Sequence, residues 1–157
     1  MNKIELFFGA IREGNFLDFK NLLDETPDLI GAKDQRGSSP LILATYYNQE
    51  EIVDLLLEQG AALDDKDASG NTALMGVCFK GFISIAKKLI EKGASINERN
   101  AMGGTALIYA ATFNRLEIAK LLLAKNADTS IKDQRGNTAL DHAKLQGAPE
   151  LIDLLER

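Results

Sequence analysis

A period of 33 residues runs through the chain. Asp34, Asp67, Asn100 and Asp133 form one column, and Gly37, Gly70, Gly103 and Gly136 a second. Leu41, Leu74, Leu107 and Leu140 follow in register, then Ala44, Val77, Ala110 and Ala143. Two further columns are Ile52, Ile85, Ile118 and Leu151, and Leu56, Leu89, Leu122 and Leu155. Units of this size cannot bury an apolar stripe alone. Stacked neighbours can, so the period predicts a solenoid of at least three repeats rather than one unrepeated core.

Each unit carries the same local chemistry. Asp-x-x-Gly opens it, a turn in which Asp bonds nearby backbone and Gly supplies a positive φ. Ser39, Thr72, Thr105 or Thr138 then stands where a helix N-cap belongs, with Pro40 at the first helical position of its copy. The pattern predicts a short helix over about 40–47, ended by Asn48 and, in the later copies, by Gly81, Asn114 and Gly147. A second amphipathic helix follows. Ile52, Val53, Leu56 and Leu57 mark it in EEIVDLLLEQ, and Gly60, Gly93 and Asn126 close it. An extended stretch leads to the next Asp.

Composition narrows the possible functions. Hydrophobic residues make up 45% and charged residues 26% of 157 residues, ordinary for a folded chain. With 18 Lys and Arg against 23 Asp and Glu, the net charge is −5, a poor basis for general nucleic-acid binding. Cys78 is the single cysteine, so no internal disulfide is expected. The opening MNKIELFFGAIREGN does not read as a signal peptide, and no apolar run approaches a membrane span. The expectation is a cytoplasmic monomer with no membrane or nucleic-acid partner.

At Ser39-Pro40-Leu41, TAL (72–74, 105–107 and 138–140), EIVDLLLEQGA (51–61) and LEIAKLLLAKNA (116–127), the chain resembles the ankyrin repeat family. The resemblance implies an all-α solenoid of helix-turn-helix repeats joined by β-turn fingers. It covers Asp34 to Arg157, with residues 1–33 as a degenerate first copy in which Ala10, Gly14, Phe19, Leu22 and Leu23 take helix positions. The expected organisation is one domain over 1–157, with repeats at about 1–33, 34–66, 67–99, 100–132 and 133–157. The family's Thr-Pro-Leu-His segment is never complete. Ala73, Ala106 and Ala139 replace Pro, and Ile42, Met75, Ile108 and Asp141 take the His position. His142 falls one position later, in the column of Leu43, Gly76 and Tyr109.

Catalysis needs convergent titratable groups, and one His with one Cys offers few. Cys78 reads as a packed small residue and His142 as a plain helix residue. Asp65 to Gly70 imitates the start of a calcium loop, but the twelfth position is Gly76, not Glu. Gly76 to Gly81 has the glycine spacing of a phosphate loop, but Phe82 and Ile83 stand where Lys and Ser or Thr are required. A basic column, Lys33, Lys66, Arg99 and Lys132, lies beside the acidic column, which reads as its neutralising partner. No cofactor or metal is expected. A metal-dependent enzyme built on Asp64, Asp65 and Asp67 is the remote alternative.

Binding is expected at the turn tips and the exposed end of each first helix, where the family engages proteins. The candidate partner-binding residues are Arg36, Tyr46, Tyr47, Ser69, Phe79, Lys80, Met102, Thr112, Phe113 and Arg135. Stacking would align Tyr46, Tyr47, Phe79 and Phe113 as a strip edged by cations. Tyr, Arg and Met are enriched in interfaces, and a contiguous exposed apolar strip marks an interaction site. The opposing possibility is that these rings fold inward over the helix join. Phe7, Phe8, Phe16 and Phe19 are expected to seal the first repeat. The implied function is a non-catalytic protein-protein interaction module. A dedicated inhibitor or regulatory subunit of one enzyme is its narrower form, suggested by the short chain. The last unit, 133–157, is expected to exchange amide hydrogens before 67–132.

Overall fold

The structure, a computed structural model, describes residues 2–157. Among them are ten α-helices and one 3-10 turn, and no strand. In chain order the helices are α1 (Lys3–Glu13), α2 (Phe16–Glu25), α3 (Pro40–Tyr46), α4 (Glu50–Glu58) and α5 (Ala73–Lys80). The second half holds α6 (Ile83–Glu91), α7 (Ala106–Thr112), α8 (Leu116–Ala124), α9 (Ala139–Gln146) and α10 (Pro149–Glu156). The odd-numbered helices form one layer, with α1 against α3, α3 against α5, α5 against α7 and α7 against α9. The even-numbered helices form a second layer behind them, in which α2 meets α4, α6 meets α8 and α8 meets α10. This is the expected all-α solenoid.

The helix boundaries follow from their caps. The side chains of Ser39, Thr72, Thr105 and Thr138 accept from the N–H groups of Ile42, Met75, Ile108 and Asp141. Each satisfies one otherwise orphaned amide of its helix. In the last copy the Asp141 carboxylate also accepts from the Thr138 N–H at 2.9 Å, completing a capping box where the family has His. At the far ends Asn48, Asn114 and Asn126 adopt φ of 58°, 55° and 63°, alongside the glycines at the matching positions. Asn is the non-glycine residue that tolerates this region best.

The core is one continuous cluster between the layers. Leu56, Leu89 and Leu122 are fully buried in the second layer, and Ala44, Val77, Ala110 and Ala143 in the first. Small residues in the first layer let neighbouring helices approach, and the leucines behind fill the remaining space. Phe7 and Phe19 are fully buried in the first helix pair, with rings stacked 5.0 Å apart. Phe8 is buried beside Phe7, and Phe16 is half-buried.

The fingers are built by Asx turns. Oδ1 of Asp34 accepts from the N–H groups of Arg36 and Ser38, and Asp67, Asn100 and Asp133 repeat the arrangement. Successive fingers then bond to each other through backbone. Ala68 N–H donates to Arg36 O, Ala101 N–H to Ser69 O and Gln134 N–H to Met102 O, each at 3.0 Å. Gly70 is required twice over. Its φ is +79°, and a Cβ placed there would lie 2.9 Å from the Ala101 nitrogen of the next finger.

The basic column is neutralised differently from the sequence expectation. The Asp34 column is turned into its own fingers. Lys33 instead pairs with Asp65 at 2.8 Å and Lys66 with Glu98 at 3.2 Å, each reaching the next unit. Arg99 donates to Lys132 O at 2.8 Å. These cations run along the stack as ties.

Candidate functional site

The exposed ends of the first-layer helices carry the aromatic residues singled out from sequence. Tyr46, Tyr47 and Phe113 are 39%, 45% and 39% exposed, and Met102 is 57% exposed at its finger tip. Phe79 is half-buried between them. The Phe79 and Phe113 rings meet edge to face at 4.8 Å, and Tyr46 and Tyr47 at 5.6 Å. Such pairs hold each other rigid as well as hiding surface. Each ring therefore packs on a neighbour, and Tyr46, Tyr47 and Phe113 are also partly exposed.

The polar candidates flank this strip. Arg36, Ser69, Lys80 and Arg135 are exposed. Lys80 Nζ lies over the Tyr46 ring, 4.8 Å from its centroid, a cation–π contact. Thr112 is half-buried and its hydroxyl donates to Ile108 O at 2.7 Å, so it belongs to the helix more than to the surface. Arg135 lies in the fourth finger, away from the ring cluster of α5 and α7.

Sequence reasoning did not select Tyr109 and Gly76, which complete the site. The Tyr109 ring stacks near-parallel to Phe113 at 6.3 Å. Its hydroxyl donates to Asn71 Oδ1 at 3.2 Å and accepts from Asn100 Nδ2 at 3.1 Å. Asn100 Nδ2 also donates to Asn71 Oδ1 at 2.8 Å. Gly76 lies one repeat before Tyr109 in the same column, and opens a recess of about 270 Å³ lined by Tyr46, Met75, Phe79, Tyr109 and Phe113. The clue was a glycine inside a helix, where it costs about 1 kcal/mol relative to Ala and marks a packing or functional reason.

Other titratable groups are engaged in structure. His142 is not a plain helix residue: its Nε2 lies 2.7 Å from Asp133 Oδ2, joining α9 to its finger as Tyr109 joins α7. Burial pushes the Asp133 carboxyl up. The His142 ring and the Asn137 and Arg135 amides outweigh that and hold it below the usual aspartate range. Cys78 is fully buried, which pushes its thiol far up and keeps it as the unreactive thiol form. Asp64 accepts from Ser95 N–H and Oγ at 2.8 and 3.0 Å, Asp65 holds Lys33, and Asp67 shapes its finger. Asp64 and Asp65 thus join neighbouring repeats, Asp67 stays within its own, and among the described residues no group of three or more His, Cys, Asp or Glu converges to hold a metal ion. Among the described residues no helix is long and apolar enough to cross a membrane.

A stack of helix pairs with a bonded row of fingers defines a helical repeat protein. A family model described as ankyrin repeats (3 copies) matches residues 7–100 and 77–156. The chain belongs to the ankyrin repeat family. Ankyrin repeats are generally protein–protein interaction modules, and the family is typically non-catalytic. No curated protein matches the chain.

Proposed function

We propose that this chain is a non-catalytic binding module that holds a partner protein against its finger tips and the exposed ends of α3, α5 and α7. The contacts assigned to the partner are Arg36, Tyr46, Tyr47, Ser69, Phe79, Lys80, Met102, Thr112, Phe113 and Arg135. The observation that carries the reading is the continuity of the strip. Tyr46 and Tyr47, Lys80 over Tyr46, and Phe79 against Phe113 form one partly exposed aromatic surface with cations at its margin. Rigid aromatics lose little entropy on binding, and Tyr and Arg dominate interface hot spots. A stable interface buries about 1,600 Å² in total, a span that several adjacent repeats supply.

The test is a comparison of two variants in capture of proteins from the source cells. One carries Tyr46→Ser, Tyr47→Ser and Phe113→Ser on the strip. The other carries Glu51→Ala, Lys87→Ala and Lys120→Ala on exposed positions of the second layer. Loss of the captured protein only in the first supports the reading, provided far-UV circular dichroism is unchanged. Loss only in the second moves the site to the opposite side. A regulator of one enzyme is the same reading with a consequence, seen by assaying the captured protein with and without the chain.

A further inference from the structure

The geometry points to the recess over Gly76 as an anchor pocket that receives one aliphatic or aromatic side chain from a partner segment carrying an acidic residue beside that anchor. This rests on the binding reading above and names the partner's chemistry.

The pocket exists because one column is left empty. Leu43, Tyr109 and His142 put side chains in the positions equivalent to Gly76. At Gly76 a Cβ would meet nothing nearer than Tyr46 Cδ1 at 3.8 Å, so no crowding by neighbours demands a glycine. Its φ is also outside the positive region, so the backbone does not demand one either. The helix bears the cost of an internal glycine and keeps the space open.

The lining selects an apolar occupant. Aromatic rings form the walls, with buried Met75 beneath. The polar groups at one end satisfy each other through the Asn71, Asn100 and Tyr109 network. Asn100 Oδ1 is taken by the Met102 and Gly104 amides, and Asp67 Oδ1 by those of Ser69 and Asn71. The volume of 270 Å³ falls below the roughly 300–1,000 Å³ of pockets that enclose whole small molecules.

The surroundings select an acidic flank. The recess adjoins a second one of about 340 Å³, sharing Ile42, Tyr46 and Asp67 and lined by Arg36. Among the described residues Arg36 and Lys80 make no salt bridge, whereas Lys33, Lys66 and Lys88 do. Asp34 and Asp67 also line the second recess, but each is held to its own finger through Oδ1 and neither forms an ion pair with Arg36 or Lys80 among the described residues. Arg36, and Lys80 over the Tyr46 ring, are thus cations without an ion-pair partner near the apolar pocket, and an acidic residue flanking the anchor supplies that partner.

The probe is a displayed random dodecapeptide library, selected on the immobilised full chain. Enriched peptides are expected to share a Leu, Ile, Met or Phe with Asp or Glu beside it. Their Kd should weaken at least tenfold with Gly76→Leu, and about tenfold with the double variant Arg36→Glu and Lys80→Glu. Gly76→Leu repeats the residue of the Leu43 position, and Gly76→Ala, which should fold with added stability, is expected to weaken binding by a smaller factor. Peptides without an acidic residue beside the anchor, unchanged affinity in Gly76→Leu, or no enriched family would each overturn the pocket. Peptides that tolerate Gly76→Leu but are lost with Tyr47→Ser and Met102→Ser overturn the pocket and leave the strip. Peptides that tolerate both sets overturn the strip as well.

Discussion

Gly70 and Gly136 occupy the same position in two fingers and have nearly the same backbone, with φ of +79° and +82°. They differ in what lies beyond. A Cβ at Gly70 would stand 2.9 Å from the Ala101 nitrogen and 3.2 Å from Asn100 Cα, whereas nothing lies within 4 Å of one at Gly136. Alanine at either position incurs the left-handed penalty of about 1–2 kcal/mol, partly offset by about 0.4–1 kcal/mol from a less flexible unfolded chain. Gly136→Ala should therefore cost about 1 kcal/mol. Gly70→Ala must also push the next finger away. That removes the Ala101 N–H bond to Ser69 O, a further loss of about 0.5–1.5 kcal/mol, plus the strain of displacing backbone. The expected total is about 2–3 kcal/mol. Urea unfolding followed by far-UV circular dichroism, with slopes compared between variants, measures both. Equal losses would refute the claim that finger-to-finger bonding stabilises the stack. So would an unchanged exchange rate for the Ala101 amide in Gly70→Ala.

Gly76→Ala has the opposite sign: its Cβ enters open space within α5, so the melt should shift toward higher stability by up to about 1 kcal/mol, and a loss would contradict the open pocket. Asp133 has a folded pKa below its unfolded value of about 3.9, so its contribution is present above that pH and is lost as pH falls through the lower folded value. The stability gap between wild type and Asp133→Asn should therefore narrow below about pH 4, and a constant gap down to about pH 3 would contradict the pairing. Cys78 should resist a thiol reagent in the folded chain and react on unfolding, at the rate of global opening; prompt labelling of the native chain would show that α5 is not packed as described. Leu89→Ala, at a fully buried position, should cost about 2–5 kcal/mol in the same urea assay, and a loss under about 1 kcal/mol would contradict the shared core.

The fold was legible because its determinants recur. Ser39 and its Thr counterparts, Asn48 and Asn114, and the finger glycines are local signals, each read within a few residues. What escaped reading lies between repeats. Arg115 donates to Phe79 O at 2.8 Å and Gln49 to Arg12 O at 3.3 Å, both closing the end of the preceding first helix. They share a column with Phe82 and Ala148, so no residue type recurs there to announce the role. His142 was misread because its partner, Asp133, already had a complete explanation as a turn residue. The ring strip was found because aromatics just before a helix end are conspicuous. The pocket within it was missed because its defining feature is the absence of a side chain at Gly76.

The account stands on the first-layer face being where another protein sits. Hydrogen exchange of the full chain, alone and with its captured partner, tests this directly. Protection should fall on residues 36–47, 68–80 and 101–113, with 50–58, 83–91 and 116–124 unchanged. Protection confined to the second set would contradict it.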